Sequence, residues 1–253
     1  MTRLSKSILF TSLLFAGCKA AQDGPASLAV PDSVSAALAC GQTIVAHRGT
    51  SEDWPEPENS IAALERLIAE GVPMAEIDIA STKDGVHFLY HDGVWEEMST
   101  CTGPVAASTW DDARSCLLKT RSGKLSASTP PRLDDYLAAA AGRVLLEIDF
   151  KSSADYATVV DAIRAADMAD DVVLIAYTDA QADRLSALAP DMWMSVPKDY
   201  TNFDASRHMR WWGGDVPATS GAMSEGHSVA FNAAADIRVS DRADELNWKG
   251  CSG

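Results

Sequence analysis

The chain is poor in basic residues. It has 21 lysines and arginines against 36 aspartates and glutamates, and its formal net charge is -15 at pH 7. A protein with this negative net charge repels the phosphates of a nucleic acid and the surface of an anionic membrane. The charge therefore argues against a nucleic-acid partner and against electrostatic docking on lipid.

Long apolar runs are also absent. An apolar run of about ten residues follows Arg3 and Lys6, and this order is typical of a secretory signal peptide. The run is too short to cross a bilayer, which takes about 20 residues. The sequence predicts a signal peptide over residues 1–17 and export to the periplasm or cell envelope.

The end of this segment reads Leu-Phe-Ala-Gly-Cys, with the cysteine at position 18. It resembles the bacterial lipobox, in which the cysteine becomes the lipid-modified first residue. Phe15 stands where that pattern prefers leucine, so a plain signal peptide is the alternative. Lipid on Cys18 would hold the protein at the membrane. Residues 18–39, small and polar, are predicted to be a tether to a folded domain over residues 40–253.

The domain alternates short apolar runs with helical patterns and shows no internal repeat. Such alternation indicates βαβ units and a parallel sheet, and about eight strands predict a TIM (β/α)8 barrel. Residues 95–130 interrupt the pattern after the third strand and are interpreted as an inserted loop over one end of the barrel. The C-terminal part is irregular, and either residues 229–232 or residues 236–240 could close the barrel. The predicted strands are 43–47, 74–80, 86–91, 143–150, 171–177, 192–196, 209–212 and 236–240, and the predicted helices are 60–70, 132–141, 155–168 and 179–189.

Cysteines are few, and four remain if Cys18 carries lipid. An even number in an oxidising compartment suggests disulfides, and three pairings are possible. Cys40 lies just before the first strand and Cys251 near the end of the chain, so a closed barrel would bring them together. Cys101 and Cys116 would then staple the inserted loop. Buried free thiols are the alternative.

Two strands carry acids on a single face. Alternate side chains of a strand point the same way, so Glu76 and Asp78 share one face and Glu147, Asp149 and Lys151 share another. Buried carboxylates repel one another unless a positive charge is present. Hard oxygen ligands suit Mg²⁺ or Ca²⁺. Strand ends that face water, or a buried ion pair, would explain the same pattern without a metal.

Two histidines and an arginine follow predicted strands. His47 and His91 lie at carboxyl ends, where barrels of this kind keep their active sites. Histidine suits acid–base work near neutral pH, and Arg48 offers a guanidinium fork that matches phosphate oxygens. A lone histidine would more often be structural, but several polar strand ends are expected to converge here.

The order of these motifs resembles one family. HRG at 47–49, PENS at 57–60 and EIDIASTKDGVHFLYHD at 76–92 are similar to the signature of glycerophosphodiester phosphodiesterases. TPPRLDDYL at 129–137 and DIRVSDRADEL at 236–246 resemble later family segments. This family is related to sphingomyelinase D and the phosphatidylinositol phospholipase C-like phosphodiesterases. The resemblance implies a TIM barrel, a divalent cation and hydrolysis of a glycerophosphodiester to glycerol 3-phosphate and an alcohol.

The resemblance also implies roles for residues. His47 becomes the general base and His91 the general acid, while Arg48 contacts phosphate. Glu58 is expected to support Arg48 or the metal site, and Asn59 or Ser60 to cap the first helix. The metal ligands carried over are Glu76 and Asp78.

Some positions depart from the family pattern. Asp149-x-Lys151 stands where the family usually has Glu-x-Lys, so Asp149 is predicted as the third ligand, Glu147 as its possible substitute and Lys151 as a phosphate contact. Asp-x-Lys also resembles the sphingomyelinase D group, which makes phospholipase D-like action on lysophospholipid or sphingolipid head groups an alternative. A non-catalytic barrel lipoprotein is a further one, suggested by the irregular residues 197–235. Trp211 or Trp212 could stack on a glycerol or choline-like moiety, or belong to the core.

Overall fold

The structure is a computed structural model, and it describes residues 30–40, 43–213, 223–228, 237–246 and 248. The predicted signal peptide and Cys18 lie outside these residues. The described part contains nine strands, six α-helices and three short 3-10 helices. None of its helices is long and apolar enough to cross a membrane. The strands are β1 (Thr43–Ala46), β2 (Met74–Ser81), β3 (His87–Leu89), β4 (Leu145–Phe150), β5 (Val172–Ile175), β6 (Trp193–Val196), β7 (His208–Gly213), β8 (Met223–Ser228) and β9 (Ile237–Ser240). The α-helices are α1 (Val34–Ala39), α2 (Ile61–Glu70), α3 (Trp110–Ala113), α4 (Leu133–Ala140), α5 (Tyr156–Ala165) and α6 (Asp179–Leu188), and the 3-10 helices span His47–Gly49, Val105–Ala107 and Ala243–Leu246.

Eight of the described strands close a ring. Its order is β1, β2, β4, β5, β6, β7, β8 and β9, and β9 pairs with β1. Neighbours in the ring are parallel except at β8, which is antiparallel to both β7 and β9. The predicted TIM barrel with an irregular C-terminal part is therefore confirmed. Residues 237–240 make the closing pairing with β1, and residues 229–232 lie outside the described part.

The third strand differs from the prediction. Residues 86–91 were expected to join the parallel barrel, but β3 is antiparallel to β2 and lies outside the ring. Parallel neighbours need a crossover of about a dozen residues, whereas only residues 82–86 separate these two strands. A hydrogen bond from Thr82 N to Val86 O closes the hairpin. The vacant place in the ring is taken by β8, which lies in a segment where no strand was predicted.

Helix α1 begins inside the segment that was predicted to be a tether. Ser33 caps its N-terminus, and Val34 and Ala37 are buried. They pack against the first residues of several strands, among them Met74 and Leu145. The folded unit thus includes residues before Cys40, because α1 covers apolar side chains at the amino ends of the strands.

Capping residues mark where the barrel helix α2 begins and ends. Ser60 accepts a hydrogen bond from Ala63 N at the start of α2, and Gly71 ends this helix in the left-handed region with φ 73°. The main apolar core lies between the strands and the surrounding helices, with Leu64, Ile77 and Ile148 fully buried.

The inserted loop has a small core of its own. Trp95 and Leu118 of the loop are buried there together with Phe88 of β3. The disulfide between Cys101 and Cys116 forms as predicted. The predicted partner of Cys40 is Cys251, which lies outside the described residues.

Candidate active site

Three carboxylates converge inside the barrel. Strands β2 and β4 pair in a register that sets Glu76 beside Glu147 and Asp78 beside Asp149. One oxygen each of Glu76, Asp78 and Asp149 lies within 4.8 Å of the others. All three residues are buried. Glu147 is fully buried and lies further from the carboxyl ends of the strands, so the described geometry favours Asp149 in the cluster.

Lys151 is the positive charge beside this cluster. Its Nζ lies 2.6 Å from Asp78 Oδ1 and 2.7 Å from Asp149 Oδ2. Burial lowers the pKa of Lys151, but the two aspartates outweigh this effect and leave the pKa raised. Burial would raise the pKa of Asp78, and the charge of Lys151 instead holds it below the usual range.

The cluster still carries more negative than positive charge. The pKa of Glu76 is raised well above the ordinary value by burial and by the charges of Asp78 and Asp149. Burial also raises the pKa of Asp149. An all-oxygen donor set with uncompensated negative charge fits a hard divalent cation such as Mg²⁺ or Ca²⁺.

The two histidines each pair with an aspartate. His47 follows β1, and its Nδ1 lies 2.8 Å from Asp241 Oδ1, at the carboxyl end of β9. His91 follows β3, and its Nδ1 lies 2.8 Å from Asp92 Oδ1. Because a carboxylate accepts hydrogen bonds, both pairs assign the Nδ1 atoms as donors and leave the Nε2 atoms as acceptors when the rings are neutral. His91 reaches the site because β3 turns back along β2, not because it ends a parallel strand as predicted.

Arg48 connects His91 to the acidic cluster. Its Nη2 lies 3.0 Å from His91 Nε2, and its Nη1 donates to Glu58 Oε1 at 2.9 Å. Its backbone N donates to Glu76 Oε2 at 2.7 Å. The residue adopts φ 55°, a left-handed conformation that is costly for a side chain larger than glycine. Of the two groups that Glu58 was expected to support, it contacts Arg48.

Gly49 continues this turn where no larger residue fits. Its φ is +65°, and a Cβ atom would lie 3.1 Å from Tyr136 Oη. Glycine adopts this conformation without a steric penalty. The close approach lets the end of β1 lie against α4 and directs His47 and Arg48 to the site.

Asn59 has a role that sequence reasoning missed. Ser60 is the cap of α2, whereas Asn59 Nδ2 donates to Asp78 Oδ2 at 2.6 Å and Asn59 Oδ1 accepts from Asp78 N at 3.0 Å. The amide thereby fixes the orientation of one cluster carboxylate.

Asp241 and Arg121 were also missed. Asp241 directly follows β9, so the rule that selected His47, a polar residue at a strand's carboxyl end, could have selected it too. Arg121 lies in the inserted loop and approaches both His47 and Glu58. Only the expected position of that loop hinted at such a residue. The side chains of Trp211 and Trp212 lie outside the described part, so their stacking stays a prediction.

The fold and these residues define an α/β barrel whose mouth gathers two histidines paired with aspartates, the cationic side chains of Arg48 and Lys151, and a cluster of three buried carboxylates. Residues 47–199 match the model of the glycerophosphoryl diester phosphodiesterase family. The chain belongs to this family, as its motifs predicted.

Known proteins similar to this chain agree with that membership. Glycerophosphodiester phosphodiesterase 1 of Homo sapiens is 36% identical over 70 residues, which cover 28% of this chain and 20% of the human protein. The chain thus matches about a fifth of the length of that relative.

Solved structures show the same fold. A glycerophosphoryl diester phosphodiesterase from Parabacteroides distasonis ATCC 8503 has a TM-score of 0.65 at 24% identity, covering 75% of this chain and 71% of that one. A phosphodiesterase from Oleispira antarctica, solved in complex with the product sn-glycerol-3-phosphate, has a TM-score of 0.60 at 14% identity, covering 83% of this chain and 97% of that one.

Proposed function

We propose that the protein hydrolyses glycerophosphodiesters to glycerol 3-phosphate and an alcohol, with a divalent cation and a pair of histidines. The observation that carries the proposal is the position of Arg48, which contacts His91 through its side chain and Glu76 through its backbone. Acid–base, phosphate-binding and cation-binding groups therefore share one mouth. Family membership supports the reaction class, and the Oleispira antarctica complex supports glycerol 3-phosphate as the product.

Glu76, Asp78 and Asp149 would hold the cation. When bound, the cation would offset the charge of the phosphate and help to hold the attacking oxygen. Arg48 and Lys151 would donate hydrogen bonds to the phosphate oxygens that do not face the cation. The side chain of Lys151 is 21% exposed, and its ammonium group contacts both Asp78 and Asp149.

His47 is proposed as the general base. With Nδ1 directed to Asp241, its Nε2 would take the proton of the attacking oxygen. His91 would donate a proton from Nε2 to the alcohol oxygen as the phosphorus–oxygen bond breaks. Arg48 Nη2 faces that same Nε2 in the structure, so protonation of His91 requires the guanidinium to turn away from it. A bound phosphate would give Arg48 a new acceptor for this movement.

The direct test is a panel of diesters assayed with Mg²⁺ and with Ca²⁺ separately. We expect glycerophosphocholine and related diesters to release glycerol 3-phosphate, EDTA to abolish turnover, and His47→Ala to be inactive. His87→Ala serves as the matched control, since His87 bonds the backbone of Asp155 away from the cluster. Full activity of His47→Ala, or activity that survives EDTA, would refute the proposed mechanism.

The second candidate is phospholipase D-like release of the head group from a lysophospholipid. Asp149 at the third ligand position, paired with Lys151, favours it. Lysophosphatidylcholine in the same panel separates the two reactions, because choline release from it without hydrolysis of glycerophosphocholine would support this candidate.

We also propose that the protein is exported and carries lipid on Cys18. The disulfide Cys101–Cys116 supports an oxidising compartment. If the proposal is right, the wild-type protein fractionates with the cell envelope and Cys18→Ala is released into the soluble fraction.

A further inference from the structure

The inserted loop ends in a tight hairpin that points at the barrel mouth. Lys119 pairs with Leu125, and Thr120 N donates to Lys124 O at 2.8 Å. Gly123, at φ +80°, completes the turn with a hydrogen bond from its N to Thr120 O. Arg121 is therefore at the tip of a short, well-bonded turn.

The base of this hairpin is held firmly. Cys116 is joined to Cys101, and Lys119 N donates to Met98 O at 2.8 Å. Leu118 and Thr120 are buried. These contacts fix the direction in which Arg121 leaves the loop.

The guanidinium group of Arg121 donates hydrogen bonds to three acceptors. Its Nε donates to Glu58 Oε2 at 3.3 Å, its Nη1 to Asp241 Oδ1 at 2.6 Å, and its Nη2 to the backbone O of His47 at 3.2 Å. Its side chain is 17% exposed, and Glu58 is 6% exposed. This is not a solvent-exposed ion pair of the kind that contributes little.

Both carboxylates that Arg121 contacts orient a catalytic group. Asp241 holds Nδ1 of His47, and Glu58 holds Nη1 of Arg48, whose Nη2 faces His91. The side chains form a continuous series from one histidine to the other, with Arg121 at its centre.

We infer that Arg121 is a positioning residue of the active site, which the inserted loop supplies to hold Asp241 and Glu58 in place for His47 and Arg48. The inference rests on the proposed function for its effect on turnover. Arg121 acts through these residues, because each of its guanidinium nitrogens already faces a protein oxygen.

Arg121 can hold both carboxylates because its guanidinium group is a planar fork with several donors. Without it, the carboxylate of Asp241 keeps one hydrogen-bond partner among the described residues and can rotate away from His47, and the carboxylate of Glu58 is held there by Arg48 alone. A misplacement of about 1 Å at a reacting group can cost about 100-fold in rate. Lysine cannot replace the fork, since its ammonium is a point charge that cannot reach three separated acceptors in a plane.

The first test compares Arg121→Ala with Arg114→Ala. Arg114 lies in the same inserted loop, is 62% exposed at its side chain and, among the described residues, forms an ion pair with exposed Asp111. We expect Arg121→Ala to lose about 100-fold in kcat with a much smaller change in KM. Guanidinium ion, added below the concentration that unfolds the wild type, should restore part of the lost rate, while Arg121→Lys stays impaired. Arg114→Ala should behave as the wild type.

A second measurement does not need turnover. Side-chain ¹H–¹⁵N spectra report the Nδ1 proton of His47, and the chain has only five histidines to assign. We expect this signal to shift or broaden in Arg121→Ala and to remain in Arg114→Ala. In a double-mutant cycle, Asp241→Asn should reduce the effect of Arg121→Ala without abolishing it, because Arg121 also holds Glu58.

The outcomes separate this inference from the proposed function. If the wild type hydrolyses none of the diesters, the proposed function fails, and the His47 signal alone decides the role of Arg121. An unchanged His47 signal in Arg121→Ala overturns the positioning role. So does a rise in KM with kcat unchanged, which would make Arg121 a substrate contact.

Discussion

At the scale of single residues, Asp241 gives His47 a fixed direction. Its Oδ1 accepts from His47 Nδ1 and from Arg121 Nη1. The hydrogen bond from His47, together with the charges of His47 and Arg121, holds the pKa of Asp241 well below the usual range. An ionised acceptor keeps the Nε2 atom of a neutral His47 available for a proton.

This lowered pKa predicts how stability depends on pH. An acid whose pKa is lower in the folded state stabilises the protein above its unfolded pKa, about 3.9 for aspartate, and that contribution disappears as pH falls through the folded value. Asp241→Asn removes it. We expect the wild type to resist urea better than the variant at neutral pH, and the gap between their midpoints to narrow below about pH 4.

The control for this experiment is Asp199→Asn, whose side chain is 86% exposed. Its midpoint should follow the wild type at every pH. A gap between Asp241→Asn and the wild type that stays constant as pH falls would contradict the ionic role assigned to Asp241.

At the scale of secondary-structure elements, alternation along strands made the acidic cluster predictable. The period of two placed Glu76 with Asp78 and Glu147 with Asp149, and the pairing of β2 with β4 brought the two sets together. The sequence could not choose between Glu147 and Asp149, because the choice depends on depth in the barrel. Depth follows from strand register, which no local pattern specifies.

The sequence predicted the position of the inserted loop but not the contacts that its residues make with the active site. Its position over one end of the barrel followed from the broken alternation. Its disulfide followed from the even number of cysteines together with the expectation that a closed barrel brings Cys40 near Cys251. The contact of Arg121 with Asp241 joins positions 120 residues apart in sequence. Neither spacing nor charge pattern indicates such a pair, because it forms only after β9 closes the ring.

The disulfide of this loop yields an element-scale prediction. Replacing both Cys101 and Cys116 by serine removes a link that spans 15 residues. A loop of this length contributes about 3 kcal/mol through the entropy of the unfolded chain. We expect a lower melting temperature and a drop in kcat in the same direction as for Arg121→Ala, because the hairpin that carries Arg121 is less constrained.

Melting curves and kinetics of the double serine variant, with and without reductant, check this prediction. Reductant should bring the wild type toward the variant, and a smaller effect of reductant on the variant itself is expected from the predicted Cys40–Cys251 disulfide. A destabilised variant with wild-type kcat would show that the hairpin holds Arg121 without the disulfide.

At the scale of the whole molecule, the barrel needs a cover at the amino ends of its strands. Helix α1 supplies it, with Val34 at 0% and Ala37 at 1% exposure. Full burial of a valine side chain contributes about 1.5–3 kcal/mol. A chain that lacks residues 1–39 should therefore be less stable by about 2 kcal/mol or more, whereas one that lacks residues 1–29 should keep α1 and its stability.

Urea unfolding of the two shortened chains tests this expectation. Equal stability of the two would mean that α1 contributes nothing to the barrel and that the whole of residues 18–39 serves as a tether.

The ring of strands also determines when activity can arise. His47 and Asp241 are separated by 194 residues, and β9 must reach β1 before they meet. Contacts this distant in sequence form slowly and late in folding. A chain without β9 would already contain both proposed catalytic histidines and all three cluster carboxylates, yet His47, the proposed base, would lack Asp241. By the proposed mechanism, turnover therefore begins only when β9 has paired with β1.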